Sequence, residues 1–185
     1  MSRTGGPLLT LEPLVEAIRD GVESAGWELS GLQKTTSHSF EGRWEGDWTR
    51  SAYLFFHRPR TEDDVSIDVF LDETSRGLRG NLALVLEGRH PDVTGTVPDL
   101  LGALGAVAGR VLLEGYRTPI SVRYRIPDGG AGGAEISTEV RFKLRIPSVA
   151  LEAGASAVSA LASATVRSFE RLLADSEVRV HAFVD

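Results

Sequence analysis

An α+β domain built on a curved antiparallel sheet is the fold this sequence predicts, and three observations carry the prediction. Segments with period-two alternation come in consecutive groups, four between Trp27 and Leu86 and two between Ile120 and Ile146. The joints inside the first group are short, which makes an antiparallel meander the economical topology. Three further segments, opening near residues 10, 96 and 147, repeat their apolar residues at three- and four-residue steps, as helices do. The predicted order is α-β-β-β-β-α-β-β-α-β, with the helices mainly on one face. A single domain over 10–185 follows a leader, residues 1–9, read as flexible because Gly5, Gly6 and Pro7 punctuate it.

Taken in order, Thr10 caps a first helix with the stripe Leu11, Leu14, Val15, Ile18, Val22 and Ala25. Pro13 sits harmlessly in its first turn, and Gly26 occupies the place of a left-handed terminating residue. Trp27 begins β structure, with one strand from about Leu29 to Arg43 and another from Trp48 to His57. Glu45-Gly46-Asp47 reads as a three-residue turn, which would set Trp44 opposite Trp48, Phe40 opposite Ala52 and His38 opposite Leu54. The alternation of Val65, Ile67, Val69 and Leu71 with Ser66, Asp68, Phe70 and Asp72 marks a half-buried strand. Leu78, Leu82, Leu84 and Leu86 mark the next, and Gly88 to Thr96 reads as a crossing loop. A second helix runs from Thr96 to Leu113 or Glu114. Strands at 120–126 and 136–146 follow, joined by the Gly-rich loop from Asp128 to Ala134. Ser148 then opens a long helix to Asp175, and Val178, Val180, Ala182 and Val184 alternate as a terminal strand.

The long helix is unusual on the side away from its apolar stripe. Between Glu152 and Arg167 no residue is charged, and Ala153, Ser156, Ser159, Ala160, Ser163 and Ala164 are all small. Small side chains let another backbone come close, so this helix is expected to be covered by the sheet on one side and a helix or subunit on the other. The second helix carries Gly102, Gly105 and Gly109. Each interior glycine costs roughly 0.5–1 kcal/mol relative to alanine, which calls for a compensating contact. The stripes Gly102, Gly105, Gly109 and Ala153, Ala157, Ala160, Ala164 are therefore expected to bury each other, within one chain or across a homodimer.

Composition narrows function. Hydrophobic residues make up 42% and charged residues 25% of the chain, ordinary for a globular protein. With no cysteine, disulfides, thiolate nucleophiles and Cys-based metal sites are excluded, and a cytoplasmic location is expected. No secretory signal is visible, and no apolar run approaches the ~20 residues a membrane span needs. A net charge of −6 argues against wholesale nucleic-acid binding, though not against a local basic patch.

Chemistry-bearing constellations are few. Gly129, Gly130, Gly132 and Gly133 lie between two strands, whereas a phosphate-cradling loop leads from a strand into a helix. His38, His57, His90 and His181 lack metal-ligand spacing, and Asp63, Asp64, Asp68 and Asp72 read as a solvated acidic face. No serine sits in a nucleophile-elbow pattern, so no catalytic set, cofactor or metal is expected. The basic positions are better organised. Arg123, Arg125, Arg141, Lys143 and Arg145 fall on one surface of a hairpin, with Glu139 the only acid beside them. Either they pair with acids from the Asp68 or Glu87 strands, or they dock an acidic protein segment or, less favoured, nucleic acid; if they dock an acidic partner, reversing Arg141 to Glu would leave the melting temperature nearly unchanged while weakening that partner. Trp44 and Trp48 either close the core edge or form an aromatic tip that grips a partner.

The element order and small acidic build resemble the α+β folds of secretion chaperones and YbjN-type proteins. That resemblance covers element order alone and departs from it by one early strand and one at the end. It implies a non-enzymatic, often dimeric partner binder. The expected function is thus a chaperone- or adaptor-like module holding a protein partner, with a small apolar-ligand carrier as the alternative.

Overall fold

The computed structural model describes residues 11–36, 50–59, 65–74, 77–90, 93–112, 120–125 and 136–179. Helix α1 (Leu11–Glu23) precedes four strands, β1 (Glu28–Thr36), β2 (Arg50–His57), β3 (Val65–Thr74) and β4 (Gly77–His90). Helix α2 (Val93–Val111), strands β5 (Ile120–Arg125) and β6 (Ile136–Arg145), and helices α3 (Ser148–Ala153), α4 (Ala155–Ala174) and α5 (Ser176–Arg179) complete the order. All six strands join one open antiparallel sheet in the order β1-β2-β3-β4-β6-β5. The first four form the expected meander, and β6 adds to β4 after the α2 connection.

Alternation decides the inner face. Leu54, Val69, Leu82 and Leu144 stand in one cross-strand row, and Phe56, Ile67, Leu84 and Phe142 in the next. All eight are buried, and each large apolar side chain removed from water contributes roughly 1.5–3 kcal/mol. Helices α1, α2 and α4 bring Leu14, Ile18 and Val22, Leu100, Leu104 and Val107, and Val166, Phe169 and Leu172 onto this same core. The Phe169 ring meets Phe142 edge-on, with centroids 6.4 Å apart.

The small uncharged face of α3 and α4 is covered only in part: α1 packs at Ser159, Ala162 and Ser163, while Ala153, Ser156 and Ala160 are exposed. A Cβ at Gly21 would lie 2.3 Å from the Ser159 carbonyl oxygen and 3.0 Å from Ala162 Cβ, so the α1 backbone rests directly on α4. One turn further along, Ser24 Oγ–H donates to Ser163 Oγ at 3.1 Å. Within the chain the expected glycine–alanine seam does not form. Leu100, Leu104 and Val107 claim the core side of α2, and at 3.6 residues per turn this turns Gly102, Gly105 and Gly109 to the opposite side. A Cβ at any of those three glycines would meet nothing within 4 Å.

Four further expectations change. The helix from 147 to 175 is broken at Gly154, whose φ of 93° lies in the left-handed region, so Ala153 belongs to α3 while Ala157, Ala160 and Ala164 belong to α4. Pro147, not Ser148, holds the N-cap position of α3, with no side-chain cap. Val178 lies in the short helix α5 rather than a terminal strand; residues 180–184 fall outside the described residues. Helix α2 starts at Val93, three residues before Thr96, because β4 runs on to His90.

The β1–β2 register also differs from a three-residue hairpin. Leu32, not His38, pairs with Leu54, and Lys34, not Phe40, pairs with Ala52. The offset is six residues, an even number, so every side chain keeps its face. Alternation specifies the face and is blind to even slips, and β1 is too polar to select a register by burial. Trp44 and Trp48 lie outside the described residues.

The two kinds of glycine should respond oppositely to alanine. Gly21→Ala drives a Cβ into backbone and should cost on the order of 1–3 kcal/mol. Gly105→Ala, in an exposed helix interior, should stabilise by roughly 0.5–1 kcal/mol. Urea-denaturation midpoints compare them; equal shifts would remove the α1–α4 contact from the account of stability.

Candidate interaction surface

With the described helices gathered on the inner face, none of them covers the outer face of the sheet. The register sorts them into lanes running across the strands. Tyr53, Phe70, Asn81 and Arg145 form one lane, and Phe55, Asp68, Ala83 and Lys143 the next. His57, Ser66, Val85, Arg141 and Ser121 form a third, and Glu87, Glu139 and Arg123 a fourth. The β2–β3 half of the face is therefore aromatic and the β6–β5 half cationic. Tyr53 and Phe55 are 36% and 37% exposed, high for large rings on a sheet. Phe70 supports Tyr53, with ring centroids 4.9 Å apart and planes tilted by 42°.

An ion pair lies between the halves. Arg141 on β6 donates from Nη2 to Asp68 Oδ2 on β3 at 2.8 Å, reaching over the intervening β4. Its Nε lies 3.4 Å from Glu139 Oε1, near enough for attraction but not aligned as a hydrogen bond. The register places Ala83 and Val85 beneath this span. That accounts for their burial, at 1% and 2% exposed, on a face without a described helix. Burial pushes the Asp68 carboxyl above its ordinary value even though the Arg141 guanidinium pulls it down. Asp72, near one end of the face, is held by Ser51 Oγ–H at 2.9 Å and Arg79 Nη2 at 2.5 Å.

The five basic residues expected to share a surface do share register parity, opposite buried Val140, Phe142 and Leu144. They are not equivalent. Arg141 is half-buried and committed to Asp68 and Glu139, so the cross-strand pairing reading applies to it. The Arg123 side chain is 72% exposed, with Glu139 at 3.8 Å, and Lys143 and Arg145 are exposed. Sequence reasoning missed Tyr53 and Phe55 as surface residues. The signal was present in the near-continuous apolar run of β2, where both alternating sets, Ala52-Leu54-Phe56 and Tyr53-Phe55, are apolar.

Two other clusters are structural. Trp27 Nε1–H donates to Glu170 Oε1 at 2.7 Å, while Arg58 donates to both Glu170 oxygens at 3.2 and 3.0 Å and lies 5.4 Å from the Trp27 ring centroid. This ties the start of β1 and the end of β2 to α4. On the inner face Glu73 is only 6% exposed, and its Oε2 has no hydrogen-bond partner. Desolvation raises its carboxyl above the ordinary 4.5, against the pull of Arg50 and reinforced by Glu12. A cavity of about 60 Å3 opens nearby between Leu11, Val15, Lys34 and Arg50. Among the described residues, no three His, Cys, Asp or Glu side chains converge to hold a metal ion, and no helix is long and apolar enough to cross a membrane. No family model matches the chain, and no curated protein or solved structure is significantly similar to it.

Two stability measurements follow. A carboxyl whose folded value is raised contributes its stability below the unfolded value and loses it as pH rises through the folded one. Glu73→Gln should therefore gain on the parent between pH 4.5 and 7, read as urea midpoints, and a pH-independent difference would mean that Glu73 is not the titrating group. Arg141→Ala leaves Asp68 desolvated without its partner and should cost on the order of 1–2 kcal/mol, discounted for partial exposure. Arg145→Ala should stay within about 0.5 kcal/mol. Thermal melts distinguish the pair.

Proposed function

We propose that this chain is a non-catalytic cytoplasmic binding module, chaperone- or adaptor-like, that holds a protein partner on the outer face of its sheet. The observation that carries the reading is the exposed aromatic pair Tyr53 and Phe55, set on β2, a strand paired on both sides, across the same face from exposed Lys143 and Arg145 and without a described helix over them. Aromatic and arginine side chains are the residues that most often anchor protein interfaces. The absence of cysteine accords with a reducing compartment.

The carrier alternative has less behind it. Phe142, Val166, Phe169 and Leu172 fill the space between the sheet and α4. The cavity of about 60 Å3 beside α1 is several-fold smaller than the ~300 Å3 at which ligand pockets begin. Among the described residues, no side-chain constellation pairs a nucleophile with a base.

A photo-crosslinking residue placed at Tyr53, and separately at exposed Glu152 on the helix side, tests the reading in cells. A discrete protein adduct is expected from position 53 and not from position 152. Equal labelling at both positions, or none, would count against the outer face. Native mass spectrometry of the purified protein reads a retained small molecule, which would favour the carrier, and reports subunit number. The open space above Gly102, Gly105 and Gly109 is where a second copy would approach in a homodimer.

A further inference from the structure

We infer that the Arg141–Asp68 bridge is a releasable strap: closed, it covers the middle of the outer face, and protonating Asp68 opens it onto Ala83 and Val85. The strap stands on its own geometry, while its control of docking rests on the outer face being the docking surface.

What lies beneath the bridge carries the inference. Ala83 and Val85 are on the outer face of β4, between Asp68 and Ser66 on one side and Lys143 and Arg141 on the other. No described helix covers that face, yet the two side chains are 1% and 2% exposed. Asp68 and Arg141 stand two strand spacings apart, about 10 Å. The guanidinium crosses that distance to donate from Nη2 at 2.8 Å. Phe55 is the neighbour of Asp68 on β2, and Phe70 follows Asp68 by two residues on β3. Opening the strap would therefore extend the apolar surface of Tyr53, Phe55 and Phe70 onto β4.

Two features make the strap releasable. Burial outweighs the Arg141 guanidinium at Asp68 and holds its carboxyl above the ordinary 3.8, so the proton arrives in milder acid than usual. A carboxyl raised in this way contributes stability below its unfolded value and loses it as pH rises through the folded one. Protonation thus removes the attraction for Arg141 without costing the fold stability at this site. Arg141 also has a second place to go. Its Nε is buried without a hydrogen bond and lies 3.4 Å from Glu139 Oε1 on its own strand, so turning towards Glu139 completes a bond now missing. The other charged groups around Asp68 are Lys143 on β6, His57 on β2 with Glu28 at 3.8 Å, and Asp72 on β3, held by Ser51 and Arg79. Glu87 on β4 and Arg123 on β5, the latter 3.8 Å from Glu139, lie further out. Arg141 and Glu139 act on Asp68 most directly, and they pull in opposite directions.

NMR of the methyl-labelled full chain, with a soluble gadolinium chelate as the probe, reads how closely solvent approaches each alanine and valine methyl. The Asp68 carboxyl carbon reports its own titration in the same samples. Relaxation at Ala83 and Val85 is expected to rise at least about twofold as Asp68 takes up its proton, with buried Ala162 unchanged. Asp68→Asn should show the open values already at neutral pH, and Arg141→Gln replaces it if that variant does not fold. Methyls that stay shielded while Asp68 titrates, or in the variant, overturn the strap. So does a rise shared by Ala162, which reports unfolding. The link to docking is read separately, with the photo-crosslinking residue at position 53 in the Asp68→Asn background. A rise in adduct yield of at least about threefold is expected. Equal yields from an open strap overturn its control of docking, whereas no adduct from the parent removes the docking face and leaves the strap to the methyl result.

Discussion

The contact between Gly21 of α1 and the Ser159 carbonyl of α4 is the constraint on which the arrangement of this protein depends. With no side chain at residue 21, the α1 backbone lies against α4 where a Cβ would fall 2.3 Å from the Ser159 carbonyl oxygen, and α1 is seated beside α4 on the inner face of the sheet. Ser24 with Ser163, and Trp27 with Glu170 and Arg58, continue the same seam towards the start of β1. Once α1, α4 and α2 occupy one face, Leu54, Phe56, Ile67, Val69, Leu82, Leu84, Phe142 and Leu144 are buried beneath them, and the outer face is left with none of the described helices.

On that outer side, one electrostatic feature organises the rest. Two charges taken partly out of water cost desolvation energy, and their attraction returns it only when the geometry is good. The Arg141–Asp68 pair has that geometry at 2.8 Å, while burial still raises the Asp68 carboxyl, so desolvation outweighs attraction. The pair is better understood as a spacer than as a source of stability. It requires small residues beneath it, which Ala83 and Val85 supply, and it keeps the aromatic half and the cationic half of the face apart. Glu73 on the inner face is the opposite case, a desolvated carboxyl opposite Arg50 in the register, with an Oε2 that makes no hydrogen bond.

Elements were legible wherever periodicity was long. The alternations of β3 and β6 and the stripe of α1 each lie where the apolar residues put them, and Gly26 takes the positive φ expected of a helix-ending glycine. Boundaries were less legible where one signal could serve two ends. Gly154 sits in an otherwise continuous helical pattern, and only its φ of 93° reveals a break between α3 and α4. Register was not legible for β1, since a slip by six preserves every face and the strand buries too little to prefer one pairing. Of the candidate site, the cationic half could be read from Arg123, Arg141, Lys143 and Arg145. The aromatic half could not be assigned to a surface, because a ring in a sheet is exposed or buried according to which face the helices cover.

By itself, then, the sequence determined the α+β class, the antiparallel pairing of consecutive strands, the core-facing residues and the need of the long uncharged helix for a close neighbour. These follow from local periodicity and side-chain size, which act over a few residues. Tertiary structure alone decided which glycine meets that helix. Gly21 and Gly105 both lie in helix interiors, yet a Cβ added at Gly21 would fall 2.3 Å from the Ser159 carbonyl oxygen, while one at Gly105 would meet nothing within 4 Å. It also decided that Arg141 belongs to Asp68, 73 residues away in the chain, while Arg145 remains exposed. Both outcomes depend on strand order and helix placement, and these are set by how separate segments share one core.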